Sequence, residues 1–457
     1  MIPLGSLSSK RIGVFGLART GEAAVYALTR AGAEVWAWDD DAARREAAPR
    51  QIVDLMATDL SPLDGLVLAP GVPLTHPAPH PLVARAKAAG VPLISDFDLF
   101  QWARPHLPDH RVVAVTGTNG KSTTVSLIRH LVDVAGVPVA LGGNIGKAVM
   151  ALDPLPEGGV YVIEASSFQL ALTAAFRADV AVLLNMTPDH LDRHGDMDGY
   201  RQAKARLFAM QDSGDAAFIG ADDDHCARVA AELEAAGRTP ARFSGHGALA
   251  SGFGADGRTL TRDGAPFADL SRCQSLKGAH NMQNAAAAAA VADHLGFDGE
   301  VVRLGLATFP GLEHRQELVR TVGGVRYVND SKATNMDAAS RALGAFRRLH
   351  WIAGGRGKGE DPAGLYPHLA HVQHAYLIGE TAPEWAAALQ GRVPLSVHDS
   401  LEDAVAAAST NARGCEVVLL SPAAAAFDAF RDFEHRGEAF KRAVARLDPV
   451  DGGEGQP

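Results

Sequence analysis

The sequence predicts an α/β protein of three modules, each a mostly parallel sheet covered by helices. Three observations predict it. Strand-like apolar runs alternate with helical stretches along the chain. Glycine turns sit at strand-to-helix junctions. A length of 457 residues suits about three domains.

The elements follow in order. Residues 11–15 form a first strand, and a glycine turn leads into a helix ending near Arg30. Residues 33–38 form a second strand, ending at Asp39-Asp40-Asp41. Residues 66–69 form a third, stopped by Pro70-Gly71. Residues 103–110 carry two prolines and read as a linker, after which a strand starts at 111. A second boundary is expected at Phe309-Pro310-Gly311, before a strand at 325–328. The expected domains are therefore 1–105, 106–311 and 312–457. Alternation is expected to persist to the end, with no all-β stretch. The glycine-rich residues 451–457 are expected to be disordered.

Composition excludes several classes. Acidic residues number 53 and basic ones 43, a net charge of -10, whereas a non-specific nucleic-acid binder leans basic. No apolar run approaches the ~18 residues of a membrane span. The alanine-rich residues 285–292 predict tight helix packing instead. Lys10-Arg11 precedes an apolar run as in a signal peptide, but Arg19 and Glu22 end that run and no cleavage site follows. Cys226, Cys273 and Cys415 are too few and too scattered for a disulfide framework or a cysteine zinc site. A cytoplasmic enzyme is expected.

The strongest chemical signal spans residues 113–124. An apolar strand enters Thr116-Gly117-Thr118-Asn119-Gly120, then Lys121-Ser122-Thr123 opens a helix. Backbone N–H groups and a helix N-terminus suit phosphates. Lys121 supplies a cation and Ser122 a hydroxyl for Mg²⁺. The usual first glycine of such a loop is replaced by Val115. The duller alternative is a strand–turn–helix junction with an incidental lysine. A weaker signal is Gly16-Leu17-Ala18-Arg19-Thr20-Gly21, a partial dinucleotide fingerprint with Asp39 or Asp40 near the ribose position. It suits a nucleotide pyrophosphate or a plain packing turn.

Two further strands end in reactive side chains. Residues 160–163 lead to Glu164, and residues 180–184 lead to the stretch holding Asp189, His190 and His194. Strand ends on one edge of a parallel sheet form a ligand crevice. Glu164 and His190 are candidate metal ligands, although magnesium prefers oxygen. A zinc site of Asp189, His190 and His194 lacks the usual spacing. By residue type alone, Lys204 in a helical stretch is an ordinary surface lysine.

The motifs GLARTG (16–21), TGTNGKST (116–123), GGNIG (142–146), EASSFQL (164–170), NMTPDHLDRH (185–194), GAHNMQN (278–284), GLEHRQE (311–317), NDSKATN (329–335), GGRGKG (354–359) and SPAAAAFDAFRDFEHRG (421–437) occur in this order. Together they resemble the Mur ligase family over essentially the whole chain. NDSKATN and the short N-terminal glycine domain point to its glutamate-adding branch.

The resemblance implies a Rossmann-like UDP-binding domain, a central P-loop ATP-binding domain, and a C-terminal Rossmann-like domain that closes over them with the amino acid. The implied reaction joins D-glutamate to UDP-N-acetylmuramoyl-L-alanine through an acyl phosphate, for peptidoglycan synthesis, with a monomer as the acting form. It implies ATP and two Mg²⁺. Gly117, Thr118, Asn119, Gly120, Lys121, Ser122 and Thr123 would hold phosphates. Ser122, Glu164, His190 and a carbamylated Lys204 would hold metal. Asn284, His314, Arg315 and Asp330 would position the nucleotide. Arg19, Thr20, Gly21, Asp40 and Gly71 would line the UDP pocket, and Asn144 would meet the alanyl end. Thr334, Lys358 and Phe433 would meet glutamate. Ala426 stands where the family often has a serine contacting the glutamate carboxylate, so L-glutamate or another amino acid stays open as substrate. The base that deprotonates the amine is not identified, residues near His190 being candidates. Rival classes are a nicotinamide dehydrogenase, which leaves the phosphate loop unexplained, and a regulatory P-loop NTPase.

Overall fold

The computed structural model describes residues 1–47, 52–273, 275–276, 278–357 and 362–447, without the side chains of Ala279 and Asp337. Lys358 and residues 451–457 lie outside the described residues. The chain forms two compact units, Met1–Phe309 and Pro310–Pro457.

The first unit holds two sheets. The smaller is wholly parallel, in the order Glu34–Trp38, Arg11–Phe15, Gly65–Leu68, Leu93–Ile94. The larger has nine strands. Its parallel core runs Ala241–Phe243, Ala216–Gly220, Val180–Leu183, His110–Thr116, Gly159–Glu164, Val139–Gly143. Strands His110–Thr116 and Val180–Leu183 are apolar along their centres and buried on both faces, as expected between helical layers.

The expectation of unbroken alternation fails here. Phe253–Asp256, Thr259–Arg262 and Ala265–Asp269 form an antiparallel meander on the edge of this sheet. Its turns explain it. Asp263 and Gly264 have φ of 50° and 79°, the backbone of a two-residue hairpin turn. The alanine-rich helix Ala279–His294 packs on the helix Lys121–Val134, and residues 285–292 of it are buried. Small side chains let the two backbones approach, which brings Asn284 to the phosphate loop.

The second unit has six strands in the order Glu317–Val322, Val325–Asn329, Val417–Leu420, Leu349–Gly354, Val372–Ile378, Leu395–Val397. All neighbours are parallel except the first pair. That pair is a hairpin turned by Gly323-Gly324, whose φ values are 55° and 81°. The sheet therefore begins one strand earlier than the predicted strand at 325–328.

Candidate functional site

The phosphate loop is shaped by two glycines. Gly117 has φ 150° and Gly120 has φ 85°, and Gly120 caps the helix Lys121–Val134 without any side-chain cap. The first N–H groups of that helix thus keep their capacity for an anion. A Cβ on Gly120 would lie 2.2 Å from Asn284 Oδ1, and Thr124 Oγ1 donates to the same oxygen at 3.2 Å. Ser122 is half-buried and Thr123 buried in the first turn.

Two cations converge on this loop. Lys121 Nζ donates to Gly117 O at 2.9 Å and Thr118 O at 2.8 Å. Lys204 Nζ donates to Gly117 O at 2.8 Å. Lys204 is only 1% exposed, which corrects its reading as a surface lysine. The helix Met197–Ala209 turns it inward against the Tyr200 ring, 4.5 Å from the centroid. Burial, then the charge of Lys121, holds the Lys204 amine well below its ordinary pKa.

Glu164 ends the strand Gly159–Glu164 and is buried. Asn144 Nδ2 donates to its Oε1 at 2.7 Å, while its Oε2 has no hydrogen-bond partner among the described residues. Gly143 makes the approach possible: a Cβ there would lie 2.4 Å from Glu164 O. On the neighbouring strand, Thr116 Oγ1 is also buried and unpartnered. Unpaired buried oxygens are costly, and they are the donor type that magnesium takes. The residues thus fit a magnesium ion bound beside ATP phosphates. His190 adopts φ 53° and presents a half-exposed ring, 4.8 Å from that of Phe168. Among the described residues no group of three or more His, Cys, Asp or Glu is arranged to hold a metal. His194 Nε2 lies 3.0 Å from Ser167 Oγ, and burial, then Lys204, lowers its pKa to about 4.

The first glycine turn is equally tight. A Cβ on Gly21 would lie 1.7 Å from Gly16 O. Arg19 opens the helix Arg19–Arg30, with Thr20 next to it, and Ala18 offers no side-chain cap. Asp39 turns its carboxylate to Leu17 N at 2.6 Å and Asp41 N at 2.8 Å. Burial opposes its charge, yet these donors and Arg44 lower its pKa. Asp39 is thus committed to the turn, and the exposed Asp40 places its carboxylate 3.2 Å from His80 Nε2. Gly71 O accepts from Arg193 Nη1 at 3.0 Å, tying the end of the small sheet to the stretch that carries His190.

In the second unit, His314 is buried with φ 60°. Its Nδ1 lies 2.9 Å from Asn329 Nδ2, and a Cβ on Gly437 would strike the ring. Asp330 accepts from Ser421 Oγ at 2.8 Å and Gln316 N at 3.1 Å. Burial raises its pKa to about 7. Arg315 is exposed and Thr334 half-buried. Phe433 O accepts from Ser331 Oγ at 2.8 Å.

One residue here escapes sequence reasoning. Arg436 is 1% exposed. Its guanidinium donates to Ser331 Oγ and to the carbonyls of Ser331, Ala424 and Ala425. It ties the NDSKATN loop to the loop containing Ala426. Burial lowers its pKa to about 10. Only its place in FEHRG was visible beforehand.

The Mur ligase middle-domain family model matches residues 115–292, and the family model described as Mur ligase, glutamate ligase domain matches residues 314–424. A protein of Phenylobacterium zucineum (strain HLK1) is 47% identical over 461 residues, covering 98% of each chain. The chain belongs to the Mur ligase family. That relative is named UDP-N-acetylmuramoylalanine--D-glutamate ligase, as is a Rhizobium etli protein 47% identical over 98% of this chain and 97% of its own. Among solved Mur ligases, the UDP-N-acetylmuramate-alanine ligase MurC of Thermotoga maritima shares the fold, with a TM-score of 0.59 at 16% identity over 95% of this chain and 99% of that one.

Proposed function

We propose that this chain is an ATP-dependent ligase that joins D-glutamate to UDP-N-acetylmuramoyl-L-alanine in peptidoglycan precursor synthesis. The observation that carries the reading is the pairing of two features: a phosphate loop holding Lys121, and a buried, half-satisfied carboxylate, Glu164, at the next strand end. Full-length relatives with that activity in their names support it. We read three domains, 1–105, 106–311 and 312–457, each with one sheet at its centre, acting as a monomer in the cytoplasm.

In the first step the alanyl carboxylate attacks the γ-phosphorus of ATP. An O–P bond forms, the bond to the bridging oxygen breaks, and ADP leaves. Gly117, Thr118, Asn119, Gly120 and the first turn through Thr123 hold the phosphates. Lys121 leaves its two loop carbonyls to meet the transferring group, lowering the repulsion between two anions. Magnesium, when bound, neutralises phosphate charge. Ser122, Glu164, His190 and Lys204 are the residues assigned to hold it, at two sites. Asn144 donates to Glu164 and is assigned to the alanyl end as well.

For Lys204 the assignment requires a carbamate. A neutral amine attacks carbon dioxide, an N–C bond forms, and one proton leaves. The lowered pKa of this buried amine favours the nucleophilic form. The product carboxylate would add oxygen donors to those of Glu164 and Ser122.

In the second step the neutral amine of glutamate attacks the acyl carbon, the nitrogen gives up one proton to a base, and the tetrahedral intermediate expels phosphate to leave the amide. Thr334, Lys358 and Phe433 are assigned to glutamate. Asn284, His314, Arg315 and Asp330 are assigned to the nucleotide. Arg19, Thr20, Gly21, Asp40 and Gly71 are assigned to UDP.

The test is phosphate release by the purified protein with ATP, Mg²⁺ and UDP-N-acetylmuramoyl-L-alanine, in parallel with D-glutamate, L-glutamate or no amino acid. Release that requires both the UDP-sugar and D-glutamate is expected. Release at an equal rate without the UDP-sugar would overturn the ligase reading.

A further inference from the structure

A line of side-chain amides runs from the phosphate loop to an acidic residue that the ligase reading leaves unused. Asn119 N donates to Asn185 Oδ1 at 2.9 Å. Asn185 Nδ2 donates to Gln283 Oε1 at 2.7 Å. Gln283 Nε2 donates to Asp222 Oδ2 at 2.8 Å. Asp222 Oδ2 also accepts from Gly245 N at 2.8 Å, and its Oδ1 accepts from Ser244 Oγ at 2.5 Å. Four segments far apart in sequence thus meet in one relay.

The two ends of the relay have fixed polarity. The N–H of Asn119 can only donate, and a carboxylate can only accept. The two amides between them could each be reversed with almost no change of shape. Asp222 removes that freedom at Gln283: it draws the NH₂, which turns Oε1 toward Asn185. Asn119 removes it at Asn185, whose oxygen accepts from the loop N–H and whose Nδ2 also donates to Asn119 O at 3.2 Å. The two ends therefore demand the same orientation, and Gln283 carries it from Asp222 to the loop. Asn185 also accepts Thr118 N on its backbone oxygen at 2.8 Å, so it holds two successive loop residues. The seat of Gln283 has no slack: a Cβ on Gly245 would lie 2.7 Å from Gln283 Cβ.

We infer that Asp222 is a positioning residue for the nucleotide phosphates, acting through Gln283 and Asn185 on the loop backbone at Asn119. It touches no phosphate itself. It selects the one amide orientation that leaves the loop in its anion-binding shape, next to Gly120 and the helix start. The inference rests on the phosphate-loop reading above.

The test is calorimetric titration of ATP–Mg²⁺ into the full chain and three variants: Asp222→Asn, Gln283→Glu and the double variant. Asp222→Asn frees Gln283 to reverse, which sets its NH₂ against that of Asn185, and should weaken ATP binding about tenfold, the loss of one well-placed hydrogen bond. Gln283→Glu sets two carboxylates face to face and should also weaken it. In the double variant the new carboxylate at 283 accepts from Asn185 and from the new amide at 222. The orientation of Asn185 is forced again, and affinity should return to within about threefold of wild type. A merely structural role predicts lower melting temperatures with unchanged ATP affinity, and no rescue.

Wild-type affinity in Asp222→Asn, or a double variant no better than the weaker single one, overturns the relay. Should a single variant fail to fold, the double variant still decides. Failure of ATP to bind the wild-type chain instead overturns the phosphate-loop reading itself.

Discussion

Lys121 and Lys204 both donate to the carbonyl oxygen of Gly117, at 2.9 and 2.8 Å. Lys121 is half-buried and also donates to Thr118 O at 2.8 Å, whereas Lys204 is buried. Lys204 is the more deeply buried of the two, and burial, then the charge of Lys121, holds its amine well below its ordinary pKa.

A stability prediction follows from its lowered pKa. Over the window below 10.5 and above the folded value, the native state binds fewer protons than the unfolded chain. Stability therefore rises with pH through that window. Lys204→Met keeps the length of the side chain and removes the buried amine. It should flatten this slope and raise the melting temperature near pH 7 by about 2–4 °C, while abolishing ligation. Thermal melts at pH 6, 8 and 10, with the phosphate-release assay, check both halves. A variant less stable than wild type at pH 6 would contradict the account of the buried amine.

Gly21→Ala tests the first glycine turn. The added carbon would sit 1.7 Å from Gly16 O, and a backbone oxygen cannot swing aside as a side-chain tip can. A Cβ on Gly16 itself would lie 2.5 Å from Ala69 Cβ, so the turn has little room there. The turn must open, at a cost of about 2–4 kcal/mol. The KM for the UDP-sugar should rise at least tenfold while ATP affinity stays near wild type. Equal losses of both would mean that the damage spreads beyond the small sheet.

The phosphate loop was legible because its parts are neighbours in sequence: strand, glycines, Lys121 and Ser122. The burial of Lys204 was not, because its partner Gly117 lies 87 residues away and nothing in the local pattern marks the lysine as inward. The relay from Asp222 is equally non-local. Its members look like ordinary loop and helix residues until the sheet brings them together. The meander at 253–269 is a different case. Asp256-Gly257 and Asp263-Gly264 are hairpin signals, and an expectation of continued alternation overrides them. The strand Glu317–Val322 is weakly marked because it is an edge, buried fully only at Val322.

Asp96 gives an opposite pH dependence. It opens the helix Asp96–Ala103 and is fully buried. Among the described residues its Oδ1 has no hydrogen-bond partner, and its Oδ2 receives Gln169 Nε2 at 3.4 Å. Burial raises its pKa to about 7. Between its unfolded value of 3.8 and about 7 the native state binds the extra proton, so stability falls as pH rises through that window and levels off above it. Asp96→Asn keeps an acceptor for Gln169 and removes the charge. It should gain roughly 2–4 kcal/mol at pH 8 and little at pH 4. Urea unfolding at the two pH values measures the difference, and an equal change at both would reject the assignment.

Ala426→Ser addresses the amino-acid site. Ala426 is 2% exposed, and its carbonyl accepts Phe430 N at 2.9 Å and Ala429 N at 3.3 Å. Arg436 donates to the carbonyls of the preceding Ala424 and Ala425, so the backbone at 426 is held and a hydroxyl there would start from a fixed place. If the D-glutamate carboxylate binds at this loop, the added donor makes one charge-assisted hydrogen bond, worth about 1.5–3 kcal/mol. The KM for D-glutamate should fall by tenfold or more, with kcat and the KM for ATP nearly constant. Burial limits the gain, since a hydroxyl that finds no carboxylate loses its hydration for nothing. An unchanged KM with a lower melting temperature would therefore put the glutamate carboxylate elsewhere, and the Ser331–Phe433 contact would be the next place to probe.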